Sequence, residues 1–332
     1  VRANGESGAA SVVRVDSVTE WRNPRTVGID GADTLGILRM LNHEDSLVAT
    51  AVAEALPALA RVVDVAVDRY RAGGNIYYFG AGTSGRIAAM DAAEIPPTFS
   101  VDPGRVVAHY AGGMAARDRA VESAEDDAGL GREAAAQVGA GDVAVGLAAS
   151  GRTPYVQGAL EAARDKGAHT VLVTSRSGGP IAPLVDECIF VDTGPEAIAG
   201  STRLKAGTAQ KMVLNGFSTA LMVRLGKTFS NLMIDVAPRN AKLRGRVLSI
   251  LEEVSGAPEE ECARTLAEAH NDTRTALVML LAGATPTEAR EALGGSGGNV
   301  RSAIEALRGR RDTGGDGTNR TESGSSEPTN GT

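Results

Sequence analysis

The chain has 332 residues, is 42% hydrophobic and only 3% aromatic, and carries a formal net charge of −7. That length supports one large or two modest domains with real apolar cores, and the acidic balance argues against nucleic acid as a partner. Two cysteines, Cys188 and Cys262, and four histidines lack metal-ligand spacing, so no zinc site is expected. Cys188, within the apolar run CIFV, is expected to be buried. No N-terminal apolar run reads as a signal peptide and no stretch approaches the ~20 apolar residues of a membrane span. A cytoplasmic protein with no membrane partner follows.

In chain order, residues 1–15 are polar and low in complexity and are expected to be loose. The stretch TEWRNPRT, Thr19 to Thr26, reads as a surface turn. Apolar residues at three- and four-residue intervals predict helices over Asp33 to Asn42 and Ser46 to Arg71, with Pro57 kinking or dividing the second. A strand–helix rhythm follows. NIYYFG, VVAHYAGG, DVAVGLAAS, HTVLVTS and ECIFVDT read as strands, most of them separated by helical segments, with a break near Gly129 in the helical stretch before Asp142. Short apolar strands alternating with helices predict a three-layer α/β/α sandwich around a mostly parallel sheet, whose ligand sits at the carboxyl ends of the strands. From Lys205 onward the strands largely stop. Helices are expected from GTAQKMVLNGFSTALMVRLG to the chain's last apolar segment, Leu280 and Leu281 included. The domain division reads as an N-terminal arm and first helix over 1–45, an α/β domain over 46–240, a small helical subdomain over 241–308 and a disordered tail over 309–332.

The candidate site is built on loops. Gly80, Ala81, Gly82, Thr83, Ser84 and Gly85 follow the first strand directly. Glycines let backbone N–H groups face a ligand, the helix N-terminus that follows favours an anion, and Thr83 and Ser84 add hydroxyl donors. The loop departs from the dinucleotide fingerprint and lacks the lysine of a nucleotide-binding loop, which favours a phosphomonoester. Ser150, Gly151, Arg152 and Thr153 repeat the pattern after another strand, with Pro154 suited to the next helix's first turn. Thr174, Ser175 and Ser177 close a third strand, so three neighbouring strand ends are expected to present hydroxyls. Glu94 comes near the end of the first-loop helix, where Ile95, Pro96 and Pro97 are expected to terminate it. A carboxylate there opposes the helix dipole, and partial burial would favour its protonated form, as acid–base work requires. Glu122, Glu125, Asp126 and Asp127 form an acidic cluster within which periodicity does not choose. Ser201, Thr202, Arg203, Lys205, Thr208 and Lys211 gather hydroxyls and positive charge before a long apolar helix, a setting that suits an anionic sugar.

The stretches TEWRNPRT, GAGTSGRIAAMDAAEIPPTF, AVESAEDD, VAVGLAASGRTPYV, GSTRLKAGTAQKMVLN and NLMIDVAPRNAKLRGR resemble the N-acetylmuramic acid 6-phosphate etherases, built on the SIS (sugar isomerase) fold. The resemblance covers roughly Thr19 to Leu307. It implies a lyase of amino-sugar metabolism and peptidoglycan recycling that removes the D-lactyl ether of its amino-sugar phosphate substrate by elimination and hydration. Glu94 falls on the family's principal acid–base glutamate, and Glu125 on its second. Thr83, Ser84, Ser150, Arg152 and Thr153 are implied to bind the phosphate end, and Ser201, Thr202 and Arg203 the sugar end. The resemblance implies no metal or organic cofactor, and a homodimer with shared active sites. Two other readings keep the fold. A sugar-phosphate-binding regulator, similar to the glucokinase regulatory protein, needs the hydroxyl loops without the two glutamates. A sugar-phosphate isomerase needs proton abstraction at C2 without a lactyl pocket. A DNA-binding regulator is disfavoured by the acidic charge and the lack of a basic helix-turn-helix segment.

Overall fold

The computed structural model describes residues 17–113, 122–235 and 241–314. The expectations for residues 1–15, and for the tail from 315 on, lie outside them. Two compact units divide the chain. The first comprises the chain to Leu221 apart from Thr98–Ser100, and the second comprises Thr98–Ser100 and the chain from Met222. The division falls after Leu221, ahead of the boundary expected at 240.

In the first unit, α1 (Thr34–Ser46) starts where the Asp33 carboxylate accepts the Gly36 N–H at 2.8 Å, a side-chain cap for a helix end that otherwise lacks acceptors. The next helix, α2 (Val48–Arg71), buries Val48, Val52, Ala55, Leu59, Val62, Val63, Ala66 and Val67. Pro57 neither kinks it into two elements nor divides it. Pro57 and Ala53, whose carbonyl loses its partner, both face outward, so the freed group meets solvent. By length and composition alone, Thr34–Arg71 is apolar enough to cross a membrane, contrary to the expectation above. Its stripe is buried in the fold, with Leu59 beside Gly216.

The sheet consists of β1 (Ile76–Gly80), β2 (Val106–Tyr110), β3 (Val143–Leu147), β4 (His169–Thr174) and β5 (Glu187–Phe190). Its order is β2-β1-β3-β4-β5 and every pair is parallel. Both faces are covered, so β1 and β3 are buried at every residue, and an uninterrupted apolar run results where a one-faced strand would alternate. Tyr77, Phe79, Ala144 and Leu172 pack with α6 (Pro154–Asp165), which contributes Tyr155, Val156, Ala159 and Leu160. On the opposite face Tyr78 meets Phe217 of α7 (Lys205–Arg224), with ring centroids 6.3 Å apart. The first-loop helix is α3 (Gly82–Phe99). Between β2 and β3 lie α4 (Glu122–Glu125) and α5 (Ala128–Ala134). The break comes at Asp126–Asp127 and not at Gly129, because the Asp127 carboxylate accepts from Gly129 N and Leu130 N and starts α5.

The second unit holds a two-residue hairpin, β6 (Thr228–Phe229) and β7 (Leu232–Met233), which the sequence reading missed. Five helices follow: α8 (Ala241–Ser255), α9 (Glu259–Glu268), α10 (Thr273–Ala282), α11 (Pro286–Gly295) and α12 (Val300–Gly314). Ala276, Leu277 and Val278 of α10 are each fully buried, as befits a helix apolar on all sides. Gly283 closes it in a left-handed conformation at φ 60°. A reciprocal capping box between Thr285 and Glu288 starts α11. Residues 309–314, assigned to the disordered tail, continue α12. Of the two cysteines, Cys262 is buried and Cys188 is only half-buried.

Candidate active site

Glycine geometry places the first loop. A Cβ on Gly80 would lie 2.7 Å from Gly85 N, and one on Gly85 would strike the Tyr110 ring at 2.3 Å. Gly82 has φ +54°. Backbone and ring atoms exclude a side chain at Gly80 and Gly85, and the left-handed φ disfavours one at Gly82, so β1 turns at once into α3. Thr83 and Ser84 therefore sit in the first turn of a helix pointing its N-terminus over the carboxyl edge of the sheet, where free amides and the dipole favour an anion.

The second loop lies alongside, because β1 and β3 are neighbours with Gly80 in register with Leu147. Gly151, at φ +63°, comes so close to β4 that a Cβ would lie 3.0 Å from Thr174 Oγ1. Thr153 occupies the N-cap position of α6 without a side-chain cap bond, and Pro154 follows at N1. Thus Ser150, Arg152 and Thr153 stand half-buried beside the first loop's edge. At the third strand end the structure corrects the expectation for Thr174 alone, while Ser177 is exposed. Thr174 is buried, donates to Ala149 O at 3.2 Å and accepts from Arg176 N at 3.1 Å. Its hydroxyl braces the second loop and is not offered to a ligand.

The segment before α7 joins these loops from far away in sequence. A Cβ on Gly207 would lie 3.3 Å from Thr83 Cγ2, 3.8 Å from Ile87 Cδ1 and 3.3 Å from Thr202 O. Ser201 and Thr202, half-buried, and Arg203, exposed, precede this contact. Lys205 does not contribute its charge to a ligand. It is fully buried, and its Nζ lies 2.6 Å from Glu44 Oε2. Glu44 also takes Arg25 Nε at 2.5 Å and Asn23 Nδ2 at 2.8 Å. Hydrogen bonding from Arg25, with Lys205 and Asn23 adding to it, holds the Glu44 carboxyl at about 2 against the opposing effect of burial. Glu196, also fully buried, accepts from Lys205 N and Ala206 N and so caps α7, while burial pushes its carboxyl up.

TEWRNPRT is accordingly no surface turn. Thr19, Asn23 and Thr26 are buried. Thr19 O accepts from Gly200 N at 2.8 Å, Asn23 Nδ2 donates to Pro195 O at 3.1 Å, and Thr26 Oγ1 donates to Ala197 O at 2.7 Å. These bonds satisfy the irregular backbone of 195–200, which carries no ladder of its own.

Both glutamates are exposed, so the partial burial expected of Glu94 is not found within one chain. Helix α3 runs on through Pro96 and Pro97 to Phe99. The prolines do not terminate it, and Glu94 lies inside the helix. Glu125 is the last residue of α4. The sequence reading overlooked Asp91, one turn before Glu94. It is buried, and it accepts Tyr78 Oη and Ser218 Oγ, each at 2.9 Å, fastening α3 to β1 and α7. Burial pushes its carboxyl up, with Glu94 adding to the rise and Lys211 opposing it. Among the described residues no group of three or more His, Cys, Asp or Glu could hold a metal ion. A cavity of about 970 Å³ borders the outer face of α3 and the edge strand β2, lined in part by Ala89, Met90, Ala93 and Tyr110.

Residues 119–220 match the SIS domain model, and residues 58–164 match that of the glucokinase regulatory protein N-terminal SIS domain. An N-acetylmuramic acid 6-phosphate etherase of Thermobifida fusca is 58% identical over 272 residues, covering 82% of this chain and 90% of the relative. The chain belongs to the N-acetylmuramic acid 6-phosphate etherase family. Etherases of Cutibacterium acnes and Bacillus subtilis are 50% and 46% identical, covering 87% and 86% of this chain and 96% and 95% of their own lengths. An alignment over 291 of 332 residues necessarily takes in both loops and α3. The parallel five-stranded sheet flanked by helices is the SIS architecture.

Proposed function

We propose that the protein is an N-acetylmuramic acid 6-phosphate etherase, a carbon–oxygen lyase that yields N-acetylglucosamine 6-phosphate and D-lactate. The observation that carries the reading is the 58% identity to a named etherase across 90% of that enzyme's length. The neighbouring loops over the sheet edge support it, since they suit the phosphate of a sugar. Thr83, Ser84, Ser150, Arg152 and Thr153 bind that phosphate, and Ser201, Thr202 and Arg203 line the sugar end. Glu94 removes the proton at C2 of the open-chain sugar, acidified by the aldehyde at C1. The C3–oxygen bond then breaks, and Glu94 passes the proton it has taken to the departing lactate oxygen. Water adds to the resulting unsaturated aldehyde at C3, with Glu125 handling its proton. The reading includes a cytoplasmic homodimer with shared sites.

The match of residues 58–164 to a regulatory protein's SIS domain favours one alternative, sugar-phosphate binding without turnover. Incubation with N-acetylmuramic acid 6-phosphate decides between them. Release of D-lactate supports the lyase. Saturable binding of the sugar phosphate with no lactate released supports the regulator and refutes the lyase.

A further inference from the structure

We infer that Lys211, on α7, binds the lactyl carboxylate of the substrate and so sets the specificity for an acidic ether beside Glu94. The inference rests on the reading of the chain as an etherase with Glu94 as the C2 base.

Spacing places the residue. Gly207, Lys211 and Ser218 follow one another on α7 at intervals of four and seven, and Thr83, Ile87, Asp91 and Glu94 recur on α3 at four, four and three. Each set shares one face of its helix. The two faces meet on either side of Lys211. A Cβ on Gly207 would lie 3.3 Å from Thr83 Cγ2 and 3.8 Å from Ile87 Cδ1, and Ser218 Oγ donates to Asp91 Oδ1 at 2.9 Å. Lys211 therefore stands level with the turn of α3 between Ile87 and Asp91, and Glu94 lies about 5–10 Å further along the axis. A lysine side chain reaches about 6 Å from its Cα and a glutamate about 5 Å, so the ammonium and the carboxylate can converge on one ligand. Both residues are exposed.

Charge gives the role. The substrate carries two anions, the phosphate and the lactyl carboxylate. Four bonds join C2 to the lactyl carboxyl carbon through C3 and the ether oxygen, which keeps that carboxylate within about 5 Å of C2. It therefore comes close to Glu94, and Asp91 lies one turn away on the same face. Carboxylates gathered so closely repel unless a cation joins them. The other cations of this region have different places. Lys205 is held by Glu44 at 2.6 Å, and Arg86 lies over the Tyr110 ring at 5.8 Å. Arg203 comes four residues before Gly207, on the side of the phosphate loop. Lys211 comes four residues after Gly207, on the side of Glu94, and forms no hydrogen bond or ion pair among the described residues. Asp91 senses both neighbours, since Glu94 adds to the rise in its carboxyl and Lys211 opposes it. The ammonium neutralises the lactyl carboxylate and holds the ether oxygen beside the glutamate that protonates it.

Two substrates and one substitution test this. The second substrate is the lactyl amide of N-acetylmuramic acid 6-phosphate, in which a neutral carboxamide replaces the carboxylate. Wild-type protein should prefer the acid. Lys211→Met should lower kcat/KM for the acid by about 10- to 100-fold, the range for losing a hydrogen bond to a charged group. It should change kcat/KM for the amide by no more than about twofold, so that the preference disappears. Lys211→Arg should restore most of the rate on the acid. N-Acetylglucosamine 6-phosphate, which lacks the lactyl group, should inhibit wild type and Lys211→Met equally. Equal losses on acid and amide would overturn the proposal, because a lysine that merely supports the fold does not distinguish them. So would an undiminished rate on the acid. If wild-type protein releases no lactate, the etherase reading fails and binding judges Lys211 instead. Wild type should then bind N-acetylmuramic acid 6-phosphate more tightly than N-acetylglucosamine 6-phosphate, and Lys211→Met should erase the difference. A difference that survives the substitution contradicts the proposal whatever the activity.

Discussion

Glu44 and Glu94 are carboxylates on helices of the same α/β unit, and they differ in burial. Glu44 is buried among Arg25, Asn23 and Lys205, with partners at 2.5, 2.8 and 2.6 Å. Glu94 is exposed on the outer side of α3. A carboxylate saturated with donors is locked in its charged form and is of no use as a proton carrier. Its bonds instead hold the N-terminal segment, the end of α1 and the start of α7 together. Glu94, on the exposed side of α3, is instead the carboxylate proposed for proton transfer. The two regions differ in kind: a fixed ionic cluster ties down the segment that leads into α7, and α3 exposes the glutamate proposed for the chemistry.

Substitutions sharpen that division. Glu94→Gln should lower kcat by about 10²- to 10⁴-fold, the range for removing a general acid–base group, with the unfolding midpoint unchanged. A parallel loss of stability would move Glu94 to the structural side. Lys205→Ala should destabilise the fold by about 3–5 kcal/mol, because it leaves a buried carboxylate short of a partner. Chemical denaturation measures this, and a change below about 1 kcal/mol would show the cluster to be dispensable. The third test is pH. Glu44 has a folded value of about 2 against an ordinary 4.5, so its contribution is present above 4.5 and is lost as pH falls toward 2. About 3 kcal/mol is at stake. Asp91 and Glu196 are pushed up by burial, so their contributions run the other way and grow on acidification. Wild type should therefore lose stability between pH 4.5 and 2 by more than Glu44→Gln does over the same range. Equal slopes would contradict the role given to Glu44. Smallest is Thr26→Val, expected to lower stability by about 1 kcal/mol and to raise amide exchange at Gly200 and Ser201. Thr26→Ser should restore both.

Local chemistry made the α/β unit readable. Glycines after strands, apolar runs and Pro154 at a helix start act within a few residues, and the parallel sheet with its two neighbouring loops follows from them. Long-range burial was not readable in the same way. Lys205 reads as a ligand cation until Glu44, 161 positions away, is placed against it. TEWRNPRT is polar because it bonds the backbone of 195–200, and polarity in sequence does not distinguish that from solvent exposure. Pro96 and Pro97 promise a helix end, yet α3 continues through them. Asp91 gives no local sign of its bonds to Tyr78 and Ser218. Thr174 looks like a third ligand hydroxyl and is occupied by Ala149 and Arg176.

The most direct test of the central claim is turnover of N-acetylmuramic acid 6-phosphate in water enriched in oxygen-18, with both products read by mass spectrometry. Elimination and hydration break the bond between C3 and the ether oxygen, so D-lactate should leave unlabelled. The sugar phosphate should gain label at C3, beyond any exchange at the aldehyde carbon. Label in the lactate hydroxyl would place the cleavage on the lactyl side of that oxygen and would contradict the mechanism assigned to Glu94.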